Sequence, residues 1–246
     1  MKFSLFRASA QNYTPGLGFI NMKSAISTFF VIAKGILSGK TITRSLMNDS
    51  LREITISGQV LDLGSKAGKS SYYKYIKQLP STQITFTDIY PAEGVAVCDV
   101  TKRFPFPDNQ FDFALAFNLM EHVYKYENMF PETFRVLRNG GTFIGHVPFI
   151  YRYHPDPEDY FRFSHTALMK LLTDYGFSNV RIHPNFTGPL TLGLDIALSS
   201  LLPGRLSLLR VVIIPPCLLC DRLLGKFRRV NKNENYAHGH TFIATK

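Results

Sequence analysis

The stretch Val60-Leu61-Asp62-Leu63-Gly64-Ser65-Lys66-Ala67-Gly68-Lys69-Ser70 sets an acidic side chain near the end of an apolar run, with two glycines just after it. Glycines at such a turn let backbone approach a ligand closely, and an acid beside them marks the mouth of a nucleotide-type site. The last residues also resemble a phosphate loop, which needs Gly-x-x-x-x-Gly-Lys-Ser/Thr to wrap a β-phosphate. Counted back from Lys69-Ser70, the first glycine of that loop falls at position 63, which is Leu63. The loop is one residue short, and an adenosine-bearing ligand is the better reading. Asp88 comes 26 residues after Asp62 in Ile84-Thr85-Phe86-Thr87-Asp88-Ile89. A carboxylate there can accept hydrogen bonds from both hydroxyls of a ribose diol, although a strand-end Asp also serves as an ordinary turn cap. Groups able to take a proton from an acceptor are His122, and His154, Asp156 and Asp159 in Tyr151-Arg152-Tyr153-His154-Pro155-Asp156-Pro157-Glu158-Asp159-Tyr160.

These groups need a scaffold, and the hydrophobic pattern supplies one. Strands are expected at Gln59–Leu63, Ile84–Ile89, Val95–Val100, Phe111–Phe117, Thr142–Val147, Val180–His183 and Thr241–Thr245. Helices are expected at Lys69–Leu79, at about Glu127–Leu137, and from the N-cap Ser164 through Asp174 to the stop at Gly176. Alternating strands and helices imply a parallel sheet covered on both faces. Ligands of such sheets bind beyond the carboxyl ends of the strands, so the loops after Leu63, Ile89, Val100, Phe117 and Val147 should share one rim.

With 246 residues and 45% apolar content, the chain can build one large core. Cys98, Cys217 and Cys220 give no disulfide framework, which fits a reducing, cytoplasmic setting. The Cys217–Cys220 spacing lacks a second ligand pair, and no metal is expected. No signal peptide or membrane span is read: Ala25–Leu37 is broken by Lys34 and fits an amphipathic helix. The net charge of +10 divides into +5 over residues 1–58, −1 over 59–201 and +6 over 202–246. A neutral centre argues against nucleic acid, while basic ends suit an anionic membrane surface.

The segments Cys98–Val123 and Phe134–Phe149 complete a pattern. Phe104-Pro105-Phe106-Pro107-Asp108, Leu119-Met120-Glu121-His122-Val123, Arg135-Val136-Leu137-Arg138-Asn139-Gly140-Gly141 and Val147-Pro148-Phe149 resemble the class I S-adenosylmethionine-dependent methyltransferases of type 11. The resemblance spans about residues 59–183 and the final strand. Asp159-Tyr160-Phe161-Arg162-Phe163-Ser164 is similar to a segment of a subgroup associated with surface polysaccharides and glycolipids. It implies an α/β, Rossmann-like seven-stranded mostly parallel sheet with helices on both faces, an antiparallel last strand and a helical insertion before it. Residues 1–58 would be a helical extension, and 59–246 the methyltransferase domain with an apolar insertion at about 186–238. The resemblance places S-adenosylmethionine at Asp62, Gly64, Ser65 and Gly68, its ribose at Asp88, its adenine between Ile89, Asp99 and Val100, and its methionine part by Asn118 and Leu119. Lys66 departs from the family, which has glycine there. It raises a second reading, a binding or scaffold protein without turnover; the basic ends raise a third, an RNA methyltransferase. The implied acceptor is a saccharide, glycolipid or other small molecule, with His154, Asp159 and His122 as candidates for catalysis. The insertion is expected to form short helices serving as a lid, a homodimer face or a peripheral membrane contact.

Overall fold

The computed structural model describes residues 25–65, 70–201, 208–227 and 233–246. Nine strands form two sheets among these residues. The short strand β1 (Thr55–Ile56) precedes β2 (Gln59–Leu63), and β3 (Lys77–Gln78) precedes β4 (Gln83–Asp88) and β5 (Val95–Val97). Next come β6 (Phe111–Phe117), β7 (Leu137–Pro148), β8 (Ser178–Phe186) and β9 (Ala237–Thr245). The main sheet has the order β5-β4-β2-β6-β7-β9-β8. Only β9 runs against the rest, paired antiparallel with both β7 and β8. This is the expected seven-stranded α/β sheet with one reversed strand.

Strand alternation divides the core into two layers. Leu61, Leu63, Ala114, Ala116 and Phe143 point to one face, where Phe130, Leu168 and Leu172 cover them. Those covering residues come from α3 (Met129–Val136) and α4 (His165–Asp174). Val60, Leu115, Phe117 and Ile144 point to the other face, against Met47 and Leu51. Met47 lies on α2 (Ile42–Ser50), which comes after α1 (Ala25–Leu37). Ser164 caps α4 as expected, accepting from the Ala167 amide at 3.2 Å. Gly176 takes φ +93° just past its end.

The expected helix over Lys69–Leu79 is not formed. Lys69 lies outside the described residues, and the remainder is a 3-10 turn at Ser71–Lys74 followed by β3. The reason is competition for the backbone. The Lys77 amide bonds the Ile54 carbonyl at 2.9 Å and the Leu79 amide bonds that of Ile56 at 3.1 Å. Helical hydrogen bonds there would forfeit the β1–β3 ribbon. The third main-sheet strand stops at Val97, short of Val100, because Asp99 folds back: its carboxylate accepts from the Thr101 amide and hydroxyl. The helix before Gly140-Gly141 covers Met129–Val136 rather than Glu127–Leu137, with a 3-10 turn at Tyr126–Asn128 ahead of it.

The insertion contributes α5 (Pro189–Leu201) and α6 (Arg210–Phe227). Helix α6 continues through Pro215 and Pro216, residues that from sequence alone read as interruptions. Asp221 fastens this pair, accepting from the Leu190 and Thr191 amides at 3.0 and 2.8 Å at the start of α5. Gly188, at φ +139°, allows that approach, since a Cβ there would meet the Asp221 side chain at 2.3 Å. Arg210 and Asp195 form a buried ion pair between the two helices. Ile32, Ile36, Ile42, Leu46, Ile214 and Leu218 then join α1, α2 and α6 in a third apolar cluster. Among the described residues no helix is long and apolar enough to cross a membrane.

Three imidazoles are buried on neighbouring strands: His146 on β7, and His238 and His240 on β9. Burial lowers their pKa values to about 3, about 4 and about 4. Unfolding below the ordinary value near 6.5 therefore takes up protons. Stability conferred by the neutral rings is complete above about pH 6.5 and is lost as pH falls toward 4. Each ring removes ~1.4 kcal/mol per pH unit in that window. Denaturant midpoints measured from pH 7 to pH 4.5 should fall steeply, and a flat profile would refute burial of the neutral rings.

Candidate active site

The parallel strands end on one rim, where most of the groups singled out from sequence meet. The chain leaves β2 at Gly64, with φ +68°. A Cβ on Gly64 would lie 2.8 Å from the Leu119 side chain, so glycine lets the turns after β2 and β6 touch. Ser65 is buried, its amide bonded to the Thr87 carbonyl at 2.9 Å beside β4. Gly68 and Lys66 lie outside the described residues.

Asp62 is fully buried at the end of β2. Its Oδ2 accepts from the Tyr72 hydroxyl at 2.6 Å and from the Tyr73 hydroxyl. Among the described residues its buried Oδ1 has no hydrogen-bond partner. Desolvation raises its pKa to about 7, against the opposing pull of the tyrosine hydrogen bonds. Sequence reasoning misses these tyrosines. They serve the 3-10 turn, and a side-chain partner ten residues away leaves no periodic signal.

Asp88 ends β4, with one carboxylate oxygen accepting from the Tyr90 amide at 3.1 Å. Around it Ile89, Tyr90 and Val97 are exposed apolar side chains. Ile89 was expected there; Tyr90 and Val97 were not. Val100 was expected beside the adenine, but it is turned into the core instead. Asp99 is engaged locally, by Thr101 and by Lys102 at 3.1 Å, which together hold its carboxyl below its usual range.

Asn118 comes directly after β6 at φ +52°, a conformation Asn tolerates. Its Oδ1 lies 2.7 Å from His146 Nδ1, and its amide bonds the His146 carbonyl at 2.9 Å. The amide oxygen can only accept, so His146 carries its proton on Nδ1. Leu119 is next, half-buried against the main core.

The loop after β7 folds back over the turn after β6. The Tyr160 amide donates to the Glu121 carbonyl at 2.8 Å and fastens the two. This brings His154 to His122, with ring centroids 5.1 Å apart. Asp159 stands behind His154: its Oδ2 lies 2.8 Å from the His154 amide and 3.1 Å from Nδ1. Arg162 grips the same carboxylate from two nitrogens, at 2.5 and 2.7 Å, and holds its carboxyl well below the ordinary range. Asp159 therefore positions His154 and stays ionised, and Arg162 joins the site as a residue not anticipated. Glu121 also joins it. Sequence reasoning singles out His122 but not Glu121, yet the Glu121 carboxylate faces both imidazoles from a fully buried position. The facing Glu121 carboxylate raises the pKa of His154 above its ordinary value.

Comparison with known proteins agrees with this architecture. Residues 61–145 match the family described as a methyltransferase domain. The fold is similar to that of the [4+2]-cyclase SpnF, with TM-score 0.53 and 15% identity, over 90% of this chain and 93% of that one. It is also similar to a SAM-dependent methyltransferase from Archaeoglobus fulgidus, with TM-score 0.52 and 16% identity, over 89% of this chain and 99% of the other. No curated protein matches the sequence. Residues 61–145 thus match a methyltransferase domain, set within a fold shared with these two structures.

Asp62 gives this site a measurable signature. Its folded pKa lies above its unfolded value, so its contribution to stability is complete below about pH 4 and is lost as pH rises through 7. Asp62→Asn should remove that dependence. The variant's stability relative to the parent should rise by up to about 4 kcal/mol between pH 4 and pH 8. Parallel stability curves for the two proteins would show that the carboxylate is not held in a water-free site.

Proposed function

We propose that the protein is an active S-adenosylmethionine-dependent O-methyltransferase acting on a hydroxyl of a saccharide or lipid-linked saccharide at an anionic membrane surface. The observation that carries this reading is the opposition, on one rim, of a donor half and an acceptor half. The donor half holds Asp62, Gly64 and Asp88. The unpartnered Oδ1 of Asp62 suits an ammonium group, which would offset its buried charge. Asp88, with one carboxylate oxygen held by the Tyr90 amide, sits beside exposed Ile89, Tyr90 and Val97, a setting for a ribose beside a flat base. Bound, the donor supplies a methyl group already activated on a sulfonium, so displacement leaves a neutral thioether.

The acceptor half is the pairing of His122 and His154, with Asp159 and Arg162 behind. An imidazole whose Nδ1 is held by a carboxylate presents Nε2 to a hydroxyl proton. Such a group is of use to an oxygen nucleophile that must lose its proton as the O–C bond forms. The saccharide assignment rests on the resemblance of the Asp159–Ser164 segment to enzymes of surface-glycan pathways. The scaffold reading remains as the rival, and the likeness to SpnF sets this fold beside a cyclase.

The membrane part of the proposal rests on one face of the helical layer. Val212, Leu219 and Leu223 recur along α6 and are exposed, as are Ile26, Phe30 and Leu37 along α1. The chain carries +5 before residue 59 and +6 after residue 201, charge suited to anionic headgroups around an apolar stripe.

Calorimetric titration with S-adenosylmethionine and S-adenosylhomocysteine, with Mg-ATP as control, should show binding of the adenosyl ligands alone. Asp88→Ala should weaken it at least about tenfold, the loss of a charge-assisted bond. Unchanged affinity would sink the site, and binding without methylation of any glycan acceptor would favour the scaffold. Vesicles containing anionic lipid should co-sediment the protein, and Val212→Asp with Leu219→Asp should abolish this. Dimerisation lost in the same variant, without vesicle binding by the parent, would make the stripe a homodimer face.

A further inference from the structure

The two imidazoles at the rim are aimed by their surroundings. His122 Nδ1 lies 2.6 Å from the Glu158 carbonyl, which can only accept, so the proton of the neutral ring sits on Nδ1. His154 Nδ1 lies 3.1 Å from both the Arg152 carbonyl and the Asp159 carboxylate, which again places the proton there. The Arg162 contact at 3.4 Å is the longer one and does not outweigh two acceptors. Each neutral ring therefore presents the lone pair of Nε2. Both lone pairs face the same atom: Glu121 Oε1 lies 3.7 Å from His122 Nε2 and 3.8 Å from His154 Nε2. Glu121 is fully buried, and among the described residues neither of its carboxylate oxygens has a hydrogen-bond partner. Three electron-pair donors thus converge, one of them a carboxylate taken out of water with nothing to satisfy it. Such an arrangement calls for positive charge at its centre.

We propose that Glu121, His122 and His154 bind a first-row divalent cation, of the zinc or cobalt type, through Oε1 and the two Nε2 atoms. Two imidazoles and one carboxylate form a donor set these ions prefer. A tetrahedral ion with bonds of about 2.1 Å sets its ligand atoms about 3.4 Å apart. The two separations from Glu121, 3.7 and 3.8 Å, close to this with shifts of a few tenths of an ångström, and all three ligand atoms lie within 4.8 Å of one another. The supports a metal-ligating histidine needs are in place, since a carbonyl holds His122 and a carboxylate holds His154 at their other nitrogens. His154 keeps 27% of its side chain exposed, so the remaining coordination position is open to an entering oxygen ligand. If the protein methylates a hydroxyl, as proposed, that ligand is the acceptor hydroxyl, and the ion takes the place of the imidazole as the group that activates it. Coordination lowers its pKa, the proton leaves to water, and the oxygen lone pair forms the new bond to the methyl carbon as the sulfur keeps the electrons of the broken one.

The test uses untagged full-length protein stripped with chelator, and neither methyl donor nor acceptor is present. Its outcome is therefore independent of whether methyl transfer occurs. Co²⁺ is titrated in and read by its visible d–d absorption, and Zn²⁺ is then added in competition. The expected result is one saturable cobalt site per chain, displaced by zinc. His154→Ala and His122→Ala should each weaken cobalt binding by more than about 100-fold, and Asp159→Asn by about tenfold through the orientation of His154. Cys217→Ser with Cys220→Ser should change nothing. His154 is part-exposed, and circular dichroism of its variant verifies that the fold is kept. Absence of a saturable cobalt spectrum in the parent overturns the proposal. So does a spectrum with sulfur charge-transfer bands that vanish in the double cysteine variant, or one unaffected in both histidine variants.

Discussion

A parallel sheet sends the carboxyl ends of its strands to one edge, and this constraint governs the rest of the molecule. β2, β4, β5, β6 and β7 all point one way, so the chain must leave each at the same rim and return across a face. Both faces are buried, which requires apolar residues on each side of β2 and β6. Acidic side chains of these strands then lie near strand ends, while His146 within β7 is buried as a neutral ring. Asp62 is the deepest of these acids, one residue inside the end of β2. The two tyrosine hydroxyls that reach it partly offset its desolvation. They also fix the 3-10 turn, so local structure after β2 is set by the needs of one carboxylate.

Much of this architecture is legible in the sequence. The seven main strands are visible because burial on two faces leaves short β-rich runs, and Ser164 and Gly176 announce the limits of α4. What escapes depends on contacts between distant segments. The Ser71–Gln78 stretch has helical spacing of Tyr72, Tyr73 and Ile76, but its amides are taken by Ile54 and Ile56, more than twenty residues earlier. Proline placement misleads in α6, where flanking packing of Ile214 and Leu218 against α1 and α2 holds the helix through Pro215 and Pro216. At the site, Asp88, His122, His154 and Asp159 are identifiable by type and position. Glu121 is not, since its environment exists only once the loop after β7 lies across it.

The helical layer extends the same logic beyond the sheet. Helices α1 and α2 come from before the first strand, and α5 and α6 from between β8 and β9. Ile214 and Leu218 of α6 pack with Ile32 and Ile36 of α1 and Ile42 and Leu46 of α2, joining the two pairs. Their joint packing also reaches the reversed strand: Ser50 and Thr241 hydroxyls lie 3.0 Å apart, and Thr241 donates to Asn185 at 2.9 Å. Thus the outer helices and the strand pair β8–β9 hold one another in register.

The His122–His154 side of the rim shows how distribution of charge depends on distribution of loops. Asp159 has a full cationic partner in Arg162 and stays ionised, so it can orient His154 without exchanging protons with it. Glu121 has no such partner, although it is the more deeply buried carboxylate. A fold that merely needed to fasten two loops would manage with the Glu121 carbonyl, which already holds the Tyr160 amide. An apolar or amide side chain of similar size would then fill the space at less electrostatic cost. That the side chain is an acid, turned toward two ring nitrogens that themselves offer lone pairs, is explained by a positive group among them. The loop that carries His154 therefore completes a charge arrangement begun by the turn after β6, and it does so on the rim where the parallel strands end.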